Sequence, residues 1–307
     1  MKLIHTLLVL GLTLVTAGQL AYSAPDGSES SPLRVMLIPA DGGTEEGTIA
    51  DFKPVFNAVT QAKGIHFDIK VGQSYGAVVE AMANGLADIA WFGPVSYLQA
   101  KERGGAELLA ISESKGDAVY YSGIFIAADS DIKSLSDLKG KKMAFGDPSS
   151  TSSFNFPVAM LLSGGVDPSK DLSKVFITGS HSNSIAALVD GKVDACACSF
   201  PSFGKAVEAG VVDPEKFKPL MKSDPIPNPP LAMHPRLTDE TKEKLKDAFH
   251  TLHENPAIKP EQIRGYGGKV YERYNAEISE DLMTAAGSKL AAVTDEVKGA
   301  MLKRAAE

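Results

Sequence analysis

The sequence predicts an α/β fold built from two similar lobes, and three features carry that prediction. Strand-like and helix-like segments alternate along most of the chain, the pattern of mostly parallel sheets. One helix–turn–strand unit occurs twice, in residues 78–94 (VVEAMANGLADIAWFGP) and 184–201 (SIAALVDGKVDACACSFP). Each copy runs from an apolar helix through a glycine stop (Gly85, Gly191) to an aspartate three residues on (Asp88, Asp194) and a strand of small residues. The copies are about a hundred residues apart, too far for a solenoid repeat. The third feature is the proline-rich stretch 223–230 (SDPIPNPP), which excludes helix and central strand and stiffens an extended connection.

The first residues are set apart from the fold. Lys2 supplies a positive start, residues 7–15 an apolar core, and Ala21-Tyr22-Ser23 a small-x-small cleavage site. Residues 1–24 therefore read as a secretory signal peptide cut after Ser23 or Ala24, its core too short to span a membrane. No cysteine near the cut suggests a lipid anchor, and no other stretch approaches 18 uninterrupted apolar residues. The mature chain reads as exported and soluble, with residues 25–32 (PDGSESSP) as a loose tail.

Residues 33–38 then give a buried first strand, 49–62 a helix, and 67–71 an alternating second strand. Residues 75–84 have helical spacing through Val78, Val79 and Met82, and 88–92 form a short strand closed by Gly93-Pro94. A long strand over 120–127 crosses to the second lobe, where 133–138 is a turn of helix and 143–145 a strand. Residues 156–162 are an apolar helix ended by Gly164-Gly165, and 175–178 a strand leading to the second copy of the repeat. The proline-rich stretch returns the chain to amphipathic helices over 239–254 and 280–305. Two crossings make a hinge, which divides the chain into one lobe of residues 33–122 plus 229–307 and another of 123–228. Clefts of that kind take ligands.

The formal charge of −7 grows by one when Lys2 leaves, which argues against nucleic acid or an anionic membrane as partner. A small anion remains compatible, since backbone dipoles can make a site locally electropositive. Cys196 and Cys198 point to one face of a strand, poorly placed for a mutual disulfide. They read as small buried side chains; a soft-metal or metalloid site there lacks a third ligand.

The segment 146–157 (GDPSSTSSFNFP) crowds five hydroxyls, Ser149 to Ser153, into a turn between a strand and a helix. A flexible linker is ruled out by ordered elements close on both sides. A serine nucleophile has His181 and Asp194 elsewhere in the chain, yet there is no G-x-S-x-G elbow. A Walker-type loop needs a lysine that does not follow. A plain N-cap needs only one of the five hydroxyls. An anion cradle uses the unpartnered N–H groups, the helix dipole and the hydroxyls together. His181, in ITGSHSNS, occupies the same position at the next strand end, where ligands collect in open α/β sheets. The remaining histidines show no metal spacing.

The motifs GQSYGAVVEAM (72–82), DIAWFG (88–93), GDPSSTS (146–152) and GSH (179–181) resemble, in order and over nearly all the mature chain, the phosphate/phosphite/phosphonate-binding proteins of ABC transporters. The resemblance implies a two-lobed type II periplasmic binding protein: α/β, two mixed sheets with flanking helices, joined by a two-strand hinge. It implies that Ser150, Thr151 and Ser152 hold a tetrahedral oxyanion, that His181 adds a donor, and that Tyr75 and Tyr120 close the pocket. Where relatives that take aminoalkylphosphonates carry carboxylates, this chain falls near Pro201 and Asn228, so 2-aminoethylphosphonate is expected to bind poorly. After the histidine stands Ser182 rather than an acid; a hydroxyl can donate to a fully ionised oxyanion, although Asp41 lies near enough in the reading to take an acid's part. The expected protein is a periplasmic monomer without cofactor, metal or enzymatic activity, which hands phosphate, phosphite or a simple phosphonate to a membrane permease. The alternatives are the sensor arm of a histidine kinase that binds arsenate or arsenite, and, more remotely, a secreted serine hydrolase.

Overall fold

A computed structural model describes residues 25–41 and 44–307; the predicted signal peptide lies outside them. The first strand, β1 (Leu33–Leu37), buries Leu33, Val35 and Leu37 on one face, as its alternating sequence requires. Helix α1 (Glu45–Lys63) follows, then β2 (Phe67–Val71), α2 (Tyr75–Ala83), β3 (Ile89–Trp91), α3 (Pro94–Gly104) and β4 (Glu107–Glu113). Helix α1 starts before the predicted residue 49 because Thr44 caps it, accepting the Gly47 N–H at 2.9 Å.

The predicted long crossing strand is two strands, β5 (Val119–Tyr120) and β6 (Ser122–Ala127). Tyr121 breaks the run: its carbonyl accepts Phe200 N–H at 2.9 Å and Lys222 Nζ sits 3.5 Å above its ring. The second half continues with β7 (Lys142–Phe145), α4 (Phe156–Ser163), β8 (Lys174–Ile177), α5 (His181–Val189), β9 (Ala195–Ser199), α6 (Phe200–Glu208) and β10 (Phe217–Lys222). The return is β11 (Ile226–Pro227) and β12 (Pro230–Met233), followed by α7 (Asp239–His250), β13 (Arg273–Asn275), α8 (Glu280–Ser288) and α9 (Asp295–Ala306). The predicted helix over 239–254 ends earlier, with a separate short turn at Leu252–Glu254. The single predicted helix over 280–305 is two, because Thr294 caps a new start by accepting Val297 N–H.

Two mixed sheets result, with orders β13-β4-β12-β3-β1-β2 and β10-β6-β9-β7-β8. In each, a parallel trio is joined by an antiparallel strand from the crossing segments: β12 beside β3, and β6 beside β9. Strand β12 lies centrally, against the expectation for a proline-rich stretch; Pro230 is its first residue, where a missing N–H is tolerated. The crossings themselves pair as a two-strand ribbon, with Tyr120 opposite Ile226 and Val119 opposite Pro227. That ribbon is the two-strand connection expected between the lobes. Helix α9, although it follows the last strand of the first sheet, lies against β8 of the second, and Arg304 donates to Leu172 O at 2.7 Å.

Candidate functional site

Between the two lobes, the chain just after β1, the end of β3, the helix starts and the crossing segments enclose a small cavity. The space between its wall atoms is about 210 Å³. That is room for one small group. Of the residues singled out in the sequence, Ser150, Thr151, Ser152, Tyr75, Tyr120 and His181 line it. Ser182 does not: its hydroxyl donates to the carbonyl of Asp41, outside the cavity.

The hydroxyl run is shaped by one wide turn, Thr151–Asn155, that precedes α4 and closes i to i+5, Phe156 N–H reaching Thr151 O. Ser150 opens it, its Oγ accepting Ser153 N–H at 3.1 Å and Ser153 Oγ–H at 2.7 Å. Asn155 pins the preceding loop by donating to Ser150 O and Pro148 O at 2.7 and 3.0 Å. Gly146 is required because any Cβ there would collide with Ser153 Oγ. Ser153 is thus structural, Ser149 lies outside the cavity wall, and Ser150, Thr151 and Ser152 line it.

Both lobes meet at this turn. Thr151 Oγ1 accepts Val95 N–H from the start of α3 at 2.9 Å, across from Gly93, where a Cβ would come within 3.0 Å of that oxygen. Asp147, just before the run, accepts Tyr75 N–H at 3.3 Å. His181 N–H donates to Ala40 O at 2.9 Å.

His181 is fully buried, and burial pushes its pKa down to about 3, so it is neutral. Ser199 N–H donates to its Nδ1 at 3.0 Å, which places the ring proton on Nε2. Burial likewise raises the phenols of Tyr75 and Tyr120 above the ordinary range, so both remain proton donors. The remaining wall is apolar or aromatic: Ile38, Ala40, Trp91, Pro229 and Tyr266. None of the described residues that line the cavity is Lys, Arg, Asp or Glu. An anion held here is held by dipoles and neutral donors at a helix start.

Sequence reasoning missed Trp91, Pro229 and Tyr266. Trp91 ends a strand at the edge where ligands collect, which is a usable signal. Tyr266 comes from a short turn, Tyr266–Gly268, far along the chain with no motif around it. A roomier hollow of about 840 Å³ beside Leu135, Phe156, Met160 and Met221 contains none of the hydroxyl run. Cys196 and Cys198 lie in a separate hydrophobic cluster with Phe125, Ile185 and Leu188, not in the cavity wall.

Comparison with known proteins agrees with this architecture. A family model described as "ABC transporter, phosphonate, periplasmic substrate-binding protein" matches residues 43–273. The chain is 32% identical over 236 residues to the phosphate-import protein PhnD of Mycolicibacterium smegmatis, covering 72% of this chain and 73% of that one. It is 26% identical to the phosphonates-binding periplasmic protein of Escherichia coli, covering 67% of this chain and 62% of that one. In fold it is similar to the binding component of a Pseudomonas aeruginosa phosphonate transporter (TM-score 0.70, 22% identity, 89% of this chain and 99% of the other). A Prochlorococcus marinus PhnD1 structure in complex with methylphosphonate gives TM-score 0.70 at 18% identity, over 84% and 97% of the two chains. With a family model spanning most of its length and a cavity formed where that family's two lobes meet, the chain belongs to the periplasmic phosphonate-type substrate-binding proteins of ABC transporters.

Proposed function

We propose that the chain captures a small tetrahedral phosphorus oxyanion, namely phosphate, phosphite or a simple phosphonate, and delivers it to an ABC permease. The single observation that carries this reading is a small interlobe cavity whose polar wall consists only of neutral donors, arranged at the hydroxyl turn before α4. Ser150, Thr151, Ser152, His181, Tyr75 and Tyr120 act as the ligand's donors. The apolar patch of Ile38, Trp91 and Pro229 suits a hydrogen or methyl substituent on phosphorus. Ser182 has a supporting part: it ties α5 to Asp41 across the cleft. The moving bodies are residues 33–122 with the chain after 229, and residues 123–228, with α9 strapped to the second.

No carboxylate lines the cavity to meet an ammonium, and Asn228 turns its amide away to Ser112 O at 2.8 Å. Poor binding of 2-aminoethylphosphonate follows. The hydrolase reading needs a base beside a serine, whereas the cavity-facing nitrogen of His181 carries a proton and its other nitrogen is occupied. No observation favours the arsenic sensor over transport, since the two thiols lie outside the cavity.

A thermal-shift panel of phosphate, phosphite, methylphosphonate, 2-aminoethylphosphonate, arsenate and arsenite tests the reading. A ligand at a hundred times its dissociation constant stabilises the fold by about 2.7 kcal/mol. Stabilisation by at least one of the first three, and none by 2-aminoethylphosphonate, is expected. No shift with any of the six overturns the oxyanion reading.

A further inference from the structure

Behind the cavity a chain of hydroxyls links Tyr266 to a buried carboxylate. The Tyr266 hydroxyl is 3.2 Å from His181 Nε2 and 2.7 Å from both Ser199 Oγ and Ser202 Oγ. Ser199 Oγ and Ser202 Oγ are 2.9 Å apart, and Ser202 Oγ also bonds Asp41 Oδ1. Tyr266 and His181 both line the cavity, whereas Asp41 does not.

Counting protons shows what this arrangement does. With Asp41 ionised, the cluster holds four protons, three from hydroxyls and one on His181 Nε2, for five hydrogen-bonding pairs. Ser202 must then donate to the carboxylate, which can only accept, and Ser202 Oγ must draw a proton from Tyr266 or Ser199. Every proton of the cluster is claimed internally. A proton on Asp41 raises the number to five. Asp41 then donates to Ser202 and Ser202 donates inward, so four pairs are still made while the Tyr266 O–H is left to face the cavity beside His181 Nε2–H. The same proton removes a buried negative charge from behind an anion site.

We propose that Asp41 is a proton-dependent switch of the anion cavity: protonated, it lets the Tyr266–His181 pair donate to the bound oxyanion; ionised, it holds that donor back. This rests on the cavity's being the anion site. The groups that face Asp41 agree with the direction. From α6, Lys205 Nζ is 4.0 Å from the carboxylate but is held more closely by Asp51 of α1, at 2.6 Å. Tyr266, Tyr75, Tyr271 and the Cys198 thiol add no cation. Burial is the chief influence and lifts the Asp41 carboxyl to about 6, against the Ser202 hydrogen bond and the Lys205 charge, with Asp51 adding to the rise.

The test is calorimetric titration with methylphosphonate from pH 5 to pH 8 on the full mature chain and on Asp41→Asn. The carboxamide can donate to Ser202 at every pH. Ionisation of the ligand is common to both proteins, so it cancels in the ratio of their dissociation constants. Wild-type affinity relative to Asp41→Asn is expected to fall about tenfold from pH 5 to pH 8, with a midpoint near 6. Lys205→Met, which keeps the carboxylate and removes the opposing cation, moves that midpoint upward. A ratio that stays constant across the range overturns the switch while leaving the binding site intact. A readout without ligand is the ¹³C signal of the Asp41 carboxyl. It is expected to titrate near 6 and to move when Tyr266→Phe cuts the chain. A midpoint near 4, unmoved by that change, overturns the switch even if methylphosphonate proves not to bind.

Discussion

Helices α2 and α5 are built to one plan and bring different chemistry to the same cavity. Each follows a parallel strand and starts at a serine cap, Ser74 or Ser180, whose Oγ accepts the N–H three residues on at 3.1 or 3.2 Å. The next residue, Tyr75 or His181, lines the cavity. Each helix ends before a left-handed glycine, Gly85 or Gly191, both with φ 68°. Then comes the aspartate: Asp88 Oδ2 accepts Arg34 N–H at 2.9 Å and Asp194 Oδ2 accepts Lys142 N–H at 2.7 Å, which ties each unit to the first strand of its own trio. The scaffold therefore repeats, and what differs is the first helix of each lobe. Helix α1 carries Glu45 and Glu46 in its opening turn, so its own carboxylates answer the dipole. The turn before α4 carries hydroxyls and no acid, so no carboxylate of its own answers the dipole. One lobe brings aromatic side chains, two of them phenols, to the cavity, and the other brings the hydroxyl turn and the histidine.

The largest expected break in the symmetry lies at the two aspartates. Asp88 is fully buried between Arg34, at 2.8 Å, and Arg236, whereas Asp194 is exposed. Asp88→Ala leaves two partly buried guanidinium groups without their shared partner and should cost about 3 kcal/mol. Asp194→Ala should cost less than about 1 kcal/mol. Urea denaturation of the two variants decides it; equal losses would mean that the shared backbone hydrogen bond, not the ion pairs, is what matters.

A smaller break is the response to acid. His181 is held neutral with its pKa near 3, so the unfolded chain binds its proton more readily below the ordinary value of 6.5. Stability from this group is complete above about pH 6.5 and is lost as pH falls toward 3, by about 2 kcal/mol between pH 7 and pH 5. Its counterpart Tyr75 does not titrate in that window. Asp41, raised to about 6, works the other way: the native state binds its proton more readily, so stability rises as pH falls from 6 toward its ordinary 3.8. The two offset in the wild type, which should change little. In His181→Gln the acid side should therefore gain about 2 kcal/mol relative to wild type, measured by denaturation at pH 7 and pH 5. Parallel pH profiles of the two proteins would show that the histidine is not buried as described.

The symmetric plan was legible because it consists of local signals: serine caps, glycine stops and an aspartate at a fixed spacing all sit within a single unit of sequence. The hydroxyl turn was legible for the same reason, since its five hydroxyls follow a strand and open a helix. Tyr266 was not, because it reaches the cavity through the packing of a short turn against α1, α6 and Trp91, the last 5.3 Å from ring to ring. The split at Tyr121 depends on a carbonyl bonded to Phe200 and a lysine from β10, both far along the chain. The role of Ser182 changed because its rotamer is fixed by Asp41 O across the cleft. Pairings between lobes leave no periodicity in sequence.

The smallest expected effect separates plan from setting at the caps. Ser74→Ala and Ser180→Ala each remove the oxygen that satisfies one N–H of a helix start. Substitutions of this type cost about 0.5–2 kcal/mol. Ser74 is half-buried, so water can replace its oxygen, and the loss should stay near the lower bound, about 0.5 kcal/mol. Ser180 is buried against Gly146. Its bond to the Asn183 N–H is part-buried where that of Ser74 is exposed, so water replaces it less readily, and the loss should be nearer about 1.5 kcal/mol. Chemical denaturation of both variants at pH 7 resolves a difference of that size. A cap loss at α2 equal to that at α5 would show that the geometry of the shared plan outweighs burial in setting what a capping serine is worth.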